Sequence, residues 1–280
     1  MLHVMAETKN TIPSAPKMHV GLFATCLVDL MRPVIGFATL RLLEDAGCRV
    51  SVPAAQTCCG QPAYNAGDSK DARAIASQVI ETFEAFDYVV APSGSCAGML
   101  KIHYPILFKN DDAWKVRAEN LSARTFELSS FLNDVLKVTS FDTACSVKAT
   151  YHDGCSGLRE LGIKKQPRAL LKNIKGLDIT EAAEAESCCG FGGLFCVKYA
   201  DISTHIVDAK IDDALKTKAD VLVGGDLGCL MNIAGRLQRR GLKMEVRHFA
   251  EILSGHQETT PAIGEDDEAT EKRLDRGPRS

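Results

Sequence analysis

The sequence predicts an α/β protein of two pseudo-symmetric repeats, each a mostly parallel sheet flanked by helices. Two observations support this fold class. Short apolar segments with the length of buried strands alternate with longer segments that carry apolar residues at helical spacing. The same alternation, together with one cysteine pattern, occurs in both halves of the chain. Strands that alternate with helices form parallel sheets covered by helices on their faces.

The predicted elements follow this order along the chain. Helix 33–46 has a proline at its start and a glycine directly after it, which are the expected start and stop signals. The first half has strands at 19–23, 49–52 and 88–91, and helices at 33–46 and 69–86. The second half has strands at 149–151 and 221–223, and helices at 167–174 and 200–216.

A chain of 280 residues is long enough for two domains of ordinary size, each able to bury a core. The charged and small residues at the C-terminus predict disorder there. We expect five segments: a flexible arm at 1–17, a first domain at 18–137, a linker at 138–147, a second domain at 148–255, and a disordered tail at 256–280.

Composition excludes several classes of function. With 45% hydrophobic residues, 25% charged residues and a net charge of -3, the chain has no basic excess that would indicate nucleic-acid binding. It contains no apolar run typical of a secretory signal or a membrane span. We therefore expect a cytoplasmic protein that associates with the membrane only through partners. Cytoplasmic cysteines stay reduced, so a dense set indicates metal binding or catalysis rather than disulfides.

Eight of the eleven cysteines form one pattern that occurs twice. In each copy a single cysteine, a Cys-Cys-Gly turn and a further single cysteine follow at similar spacing. The members are Cys26, Cys58, Cys59 and Cys96 in the first copy, and Cys155, Cys188, Cys189 and Cys229 in the second. Four thiolates suit one iron-sulfur cluster, so the pattern predicts two [4Fe-4S] clusters with these eight residues as ligands, and redox chemistry.

The predicted sheet brings these thiols together. Three of the four cysteine positions in each half follow a predicted strand, at the edge where open α/β sheets usually build their sites. Gly60 and Gly190 let the backbone turn sharply beside a bulky cofactor. Two other interpretations stay open: buried free thiols that only pack, and tetrahedral zinc in a structural module. Cys48, Cys145 and Cys196 have no counterpart in the other half and are interpreted as packing residues.

His152 is a candidate catalytic residue. It lies three residues before Cys155, at the end of a predicted strand, where a neutral imidazole could orient a ligand or accept a proton. A hydrogen-bonded histidine with no such role is the alternative. If the protein is catalytic, the second half is the expected substrate end.

The repeated C...CCG...C arrangement resembles the CCG domain, the cysteine-rich module found in heterodisulfide reductase. The strings CRVSVPAAQTCCGQPAYNAG, TYHDGCSGLRELGIKKQPRALLKNIKG, CCGFGG and GGDLGCLMNIAGRLQ are similar to the lactate-utilization protein A family. This resemblance implies one iron-sulfur subunit of a three-protein system that oxidises L-lactate to pyruvate and passes electrons to the respiratory chain. It implies two partner subunits, at least one with iron-sulfur clusters, and a small hydroxy acid as substrate.

The sequence departs from the fuller CCG pattern at two positions. The last cysteine of that pattern belongs to a CxxC pair, but Met99 and Asn232 stand where the second thiol would be. The departure makes an ordinary [4Fe-4S] cluster per half the simpler expectation. Two alternative functions remain: a thiol-disulfide reductase component of the heterodisulfide type, and a non-catalytic scaffold stabilised by zinc.

Overall fold

The computed structural model describes residues 17–265. Residues 1–16 of the predicted arm at 1–17 and residues 266–280 of the predicted tail at 256–280 lie outside the described residues. Within residues 17–265, no helix combines the length and the apolar character that a membrane crossing requires.

The first half is a four-stranded parallel sheet with helices on its faces, as predicted. Its strands are β1 (His19–Leu22), β2 (Arg49–Ser51), β3 (Tyr88–Ala91) and β4 (Thr125–Glu127). Its helices are α1 (Cys26–Met31), α2 (Pro33–Asp45), α3 (Gln61–Asn65), α4 (Ser69–Phe83), α5 (Gly94–Gly98), α6 (Tyr104–Leu107), α7 (Asp112–Ala123) and α8 (Leu128–Ser130), with π-helical turns at Met99–His103 and Phe131–Val135.

The second half repeats this architecture. Its strands are β5 (Lys148–His152), β6 (Asp178–Ile179), β7 (Val221–Gly224) and β8 (Glu245–His248). Its helices are α9 (Cys155–Arg159), α10 (Lys165–Leu171), α11 (Phe195–Lys198), α12 (Ala200–Lys216), α13 (Leu227–Arg239) and α14 (Phe249–Ser254), followed by a 3-10 turn at His256–Glu258.

Both sheets have the same strand order. The orders are β2-β1-β3-β4 and β6-β5-β7-β8, and every pairing is parallel. In the first half the chain places β2 on one side of β1 and then crosses to place β3 on the other side. In the second half it places β6 and β7 on opposite sides of β5 in the same way. The crevice at the carboxyl ends of two such strands is the usual ligand site of an open α/β sheet. The predicted fold class is confirmed.

The two halves share one hydrophobic core. Helix α2 of the first half packs on α14 of the second, and α5 packs on α9. One buried cluster contains Val20 and Val90 from the first sheet together with Ala149 and Val223 from the second. Burial of both faces suits parallel strands, whose helical crossovers cover the sheet on each side. The proposed boundaries at 137 and 148 stay a prediction, because the core is continuous across them.

The prediction of a disordered tail from residue 256 is wrong for 256–265. The side chains of Ala262 and Ile263 are 1% and 7% exposed. The backbone N–H of Ile263 donates to the Val246 carbonyl at 3.0 Å, which attaches this segment beside β8. A short apolar group inside a polar stretch therefore gains enough burial to order the chain there.

Candidate metal centres

The first centre is the group formed by Cys26, Cys58, Cys59 and Cys96. Cys26 begins α1, soon after β1, and Cys96 lies in α5, soon after the neighbouring strand β3. Cys58 and Cys59 lie in the turn after β2, which Gly60 continues with φ 81°. The Sγ atoms of Cys26 and Cys58 are 3.7 Å apart, and thiol contacts join Cys59 to Cys58 and Cys96. The sheet thus gathers four thiols from three chain segments at one edge.

The second centre repeats this arrangement with Cys155, Cys188, Cys189 and Cys229. Cys155 begins α9 after β5, and Cys229 lies in α13 after β7. Thiol contacts join Cys155 to Cys188, Cys188 to Cys189, and Cys189 to Cys229. The backbone N–H of Gly190 donates to Cys188 Sγ at 3.3 Å. The structure therefore brings together the four thiols of each half, as two separate groups.

Each centre contains one thiol that ionises readily. A hydrogen bond from the Cys26 thiol is the main cause that lowers the pKa of Cys58 to about 2, and the Cys155 thiol has the same effect on Cys188. The pKa values of the donor thiols, Cys26 and Cys155, change in the opposite direction, because the same hydrogen bonds and burial raise them. Each centre therefore offers a thiolate, the form that binds metals.

His152 faces the second centre. It is the last residue of β5 and is 2% exposed. One of its ring nitrogens and the sulfurs of Cys189 and Cys229 all lie within 4.8 Å of one another. Neither ring nitrogen has a hydrogen-bond partner among the described residues. Burial, together with the Lys210 ammonium, lowers the pKa of His152 to about 3, so the ring is neutral. Proton acceptance from a substrate stays a prediction, whereas its position beside the thiols is a feature of the fold.

Lys210 is a residue of this site that sequence reasoning missed. It lies on α12 and is 2% exposed, although lysine is rarely buried. Its ammonium group donates to the carbonyls of Glu184 and Ala185 at 2.7 and 2.8 Å, and it interacts electrostatically with Cys189 and Cys229. The second centre therefore contains a fixed cation close to its thiols.

Side chains also support the backbone of each cysteine pair. The Tyr104 hydroxyl donates to the Cys59 carbonyl, and the Asn232 amide donates to the Cys189 carbonyl, both at 2.9 Å. Asn232 stands where the fuller CCG pattern has its extra cysteine, so that position supports the turn in this chain. Met99, at the corresponding position of the first half, is buried in the core.

Residues of the second half cover the first centre. A cavity of about 160 Å³ adjoins its thiols, and the wall opposite them includes Phe191, Leu194 and Asp226. The Asp226 carboxylate accepts hydrogen bonds from the Ser93 hydroxyl and the Ser95 N–H, both at 3.0 Å. These hydrogen bonds hold the two halves together at the N-terminus of α5. The first centre is therefore enclosed by both halves.

A second opening reaches the first centre from the surface. This groove, of about 320 Å³, is lined by Cys26 and Cys58 together with Leu30 and Val52. The side chains of Leu30 and Val52 are 77% and 49% exposed, which is unusual for apolar residues beside a polar site.

The remaining predicted residues have mixed outcomes. Cys48 and Cys145 are buried in the core, as expected of packing residues. Cys196 is only partly buried, so packing does not explain it. Arg32, a further charged residue close to the first centre in sequence, has an 11% exposed side chain and pairs with the buried Glu251 of the other half.

The sequence matches the family described as "Cysteine-rich domain" (CCG) over residues 20–101 and 149–234. The two halves are therefore cysteine-rich domains of the CCG type. A crystal structure of a hypothetical protein from Helicobacter pylori has a TM-score of 0.63 at 12% identity, and the match covers 91% of this chain and 51% of that chain. This likeness concerns the fold alone.

Named relatives are much closer in sequence. The chain is 50% identical over 237 residues to "Lactate utilization protein A" of Geobacillus sp. (strain WCH70) and 48% identical to the protein of that name in Bacillus cytotoxicus. Both alignments cover 85% of this chain and 99% of the relative. The chain belongs to the lactate utilization protein A family.

Proposed function

We propose that this protein is the iron-sulfur subunit of a complex that oxidises L-lactate to pyruvate and passes the electrons to the respiratory chain. The observation that carries the proposal is the convergence of eight thiols into two groups of four. The names of the relatives supply the substrate. Each centre would hold one [4Fe-4S] cluster, which when bound supplies one-electron storage and transfer.

Four thiols per centre are the donor set that such a cluster takes. Four sulfurs in each centre face one another, and each set includes one thiol with a strongly lowered pKa. The unpartnered ring nitrogens of His152 are further support, because a buried polar atom without a partner indicates that a group is missing beside it. The chain's own residues would bind the cluster through sulfur, and Tyr104 and Asn232 hold the turns that carry the cysteine pairs.

The two centres lie near each other across the interface between the halves, which suits electron transfer between them. The segments that carry Cys96 and Cys155 touch, since a Cβ atom on Gly94 would lie 2.9 Å from the Cα of Gly157. Each cysteine is two helical residues from its glycine, so the Cα atoms of Cys96 and Cys155 are at most about 15 Å apart. The interface between the halves thus joins the two centres.

A partner subunit would approach the first centre at the groove described above. Exposed apolar residues around a functional opening are typical of a protein interface. Besides Leu30, the side chains of Met31 and Phe37 are 59% and 64% exposed on the adjoining helices α1 and α2. Electrons would enter or leave through this surface, close to Cys26 and Cys58.

The direct test is an anaerobic count of iron and acid-labile sulfide in the full-length protein, with paramagnetic resonance of the reduced sample. We expect about eight iron atoms per chain, four from each cluster. Cys58→Ser and Cys188→Ser should each remove about half of the iron, because each deletes one of the four thiolates that hold one cluster. Cys196→Ser is the matched control and should retain all of it.

Other results would contradict the proposal. A colourless protein that contains zinc would favour a structural zinc module. A heterodisulfide-type reductase would be favoured by a different result. In that case the clusters are present, a disulfide substrate reoxidises their reduced form, and the assembled complex does not couple them to lactate oxidation. Equal iron in wild type and both ligand variants would show that these thiols are not the ligands.

A further inference from the structure

We propose that the two centres differ in reduction potential, and that His152 and Lys210 make the second centre the one that is easier to reduce. The inference rests on the proposed function, because it concerns clusters held by these thiols. It concerns a difference between the halves that their shared cysteine pattern conceals. An electron that can occupy either centre would then reside mainly on the second centre.

His152 has an apolar counterpart in the first half. In β1, Leu22 lies opposite Val90, and in β5, Tyr151 lies opposite Val223. Val90 and Val223 both stand six residues before the last cysteine of their centre, so these two strand pairs are equivalent. The residue that follows Leu22 in the first half therefore corresponds to the residue that follows Tyr151 in the second. That residue is Phe23 in the first half and His152 in the second.

Phe23 is fully buried and packs in the cluster that contains Cys59 and Cys96. The first centre therefore has a hydrocarbon ring at the place where the second centre has an imidazole.

Lys210 also has an apolar counterpart. A Cβ on Gly60 would contact Ile75 of α4, and a Cβ on Gly190 would contact Ile206 of α12, so these two isoleucines occupy equivalent places. Four residues further along each helix stand Val79 and Lys210. Both are buried, at 0% and 2% exposure.

These two replacements act in one direction. They oppose the Asp226 carboxylate, whose negative charge acts on Cys155 and Cys229, and we expect the two together to outweigh it. A neutral imidazole N–H can donate to a cluster sulfur, and one of the unpartnered ring nitrogens of His152 lies beside the sulfurs of Cys189 and Cys229. The Lys210 ammonium is held in place by the carbonyls of Glu184 and Ala185. N–H donors and nearby positive charge stabilise the more negative, reduced state of a cluster and so raise its potential.

Phe23 and Val79 offer the first centre neither effect. The Tyr104 hydroxyl near this centre already donates to a backbone carbonyl. The first centre is therefore expected to have the lower potential.

The test is an anaerobic redox titration of the full-length, cluster-loaded protein, followed by paramagnetic resonance. Cys58→Ser and Cys188→Ser, which each remove one centre, assign the signals. In the wild type the second-centre signal should have the higher midpoint potential. His152→Phe and Lys210→Met, which introduce apolar side chains as in the first half, should each lower that potential and leave the first-centre signal unchanged.

Lys172→Met is the control, because Lys172 is an exposed lysine of the same half and its substitution should shift neither signal. Equal potentials in the wild type, or a lower one for the second centre, would overturn the inference without any substitution in the core. So would an unshifted second-centre signal in both variants. Absence of iron from the wild type would instead contradict the proposed function.

Discussion

The backbones of Gly94 and Gly157 are in direct contact where α5 of the first half packs on α9 of the second. A Cβ atom on Gly94 would lie 2.9 Å from the Cα and 3.0 Å from the N of Gly157. The reverse substitution is different, since a Cβ on Gly157 would lie at an ordinary 3.8 Å from Gly94. One of the two glycines is therefore required by the interface and the other is not.

We predict that Gly94→Ala lowers the free energy of unfolding by about 1–3 kcal/mol, because the new methyl group forces two backbones apart. Gly157→Ala, its matched control, should be neutral or stabilise by up to about 1 kcal/mol, because alanine favours helix. Urea denaturation of both iron-free variants measures the difference. Equal stabilities would contradict the contact.

Glu127 should make stability depend on pH. Burial is the main cause that raises the pKa of Glu127 to about 7, above its ordinary 4.5, and the Asp226 carboxylate adds to it. The folded state holds this proton where the unfolded chain has released it, so the stability contributed by Glu127 falls as pH rises from 4.5 to 7.

Glu127→Gln should remove this dependence, because glutamine cannot ionise but can accept the same N–H bonds from Ser129 and Ser130. Relative to wild type, the variant should gain up to about 3 kcal/mol between these pH values and then level off. Denaturation curves at several pH values measure it, with the exposed Glu119→Gln as control. A pH-independent difference would refute the assignment.

The turn that carries the second cysteine pair should tolerate no side chain at Gly190. Its φ is 80°, and a Cβ there would lie 2.6 Å from the carbonyl oxygen of Ser203. Gly190→Ala should therefore destabilise the protein by about 2 kcal/mol or more and lower the iron content of the second centre.

Gly235→Ala serves as the control, since a Cβ there meets nothing within 4 Å and lies inside helix α13. It should raise stability by up to about 1 kcal/mol. Thermal unfolding and iron analysis together distinguish the two, and wild-type behaviour of Gly190→Ala would contradict the geometry.

Leu30→Glu should weaken association with the partner subunits at least tenfold and leave iron content unchanged, because a charge would then have to be buried in an apolar interface. Val116→Glu, on α7 and 56% exposed, is the control. Co-purification from cells that produce all subunits measures the effect. Normal complex formation by Leu30→Glu would remove this surface from consideration.

Several main strands and helices of this fold could be predicted from the sequence, because their apolar residues recur with a clear period. Helix α12 has the predicted bounds, and β3 and β7 lie within a residue of theirs, since each combines buried apolar runs with clear boundaries. Strands β4, β6 and β8 escaped prediction, and β6 has only two residues. Thr125–Glu127 has three residues and Glu245–His248 alternates charged and apolar residues, so only neighbouring strands identify them.

The residues around the thiols were harder to predict than the thiols. Lys210 lies in a helix whose sequence suggests a solvated lysine, and only the fold turns that position inward. Arg32 is similar, since its partner Glu251 lies 219 residues away in the sequence. Interactions of this kind depend on how two halves meet, which no local pattern records.

The contacts between the halves occur in reciprocal pairs. Helix α5 packs on α9 while α13 packs on α1, and α2 packs on α14 while α10 packs on α8. In each case the second contact is the first with the roles of the repeats exchanged, which defines a closed two-fold interface. Such an interface is what remains when the chains of a symmetric homodimer become fused end to end. Two separate copies of the repeat could therefore meet through the same surfaces as a symmetric homodimer with two equivalent centres.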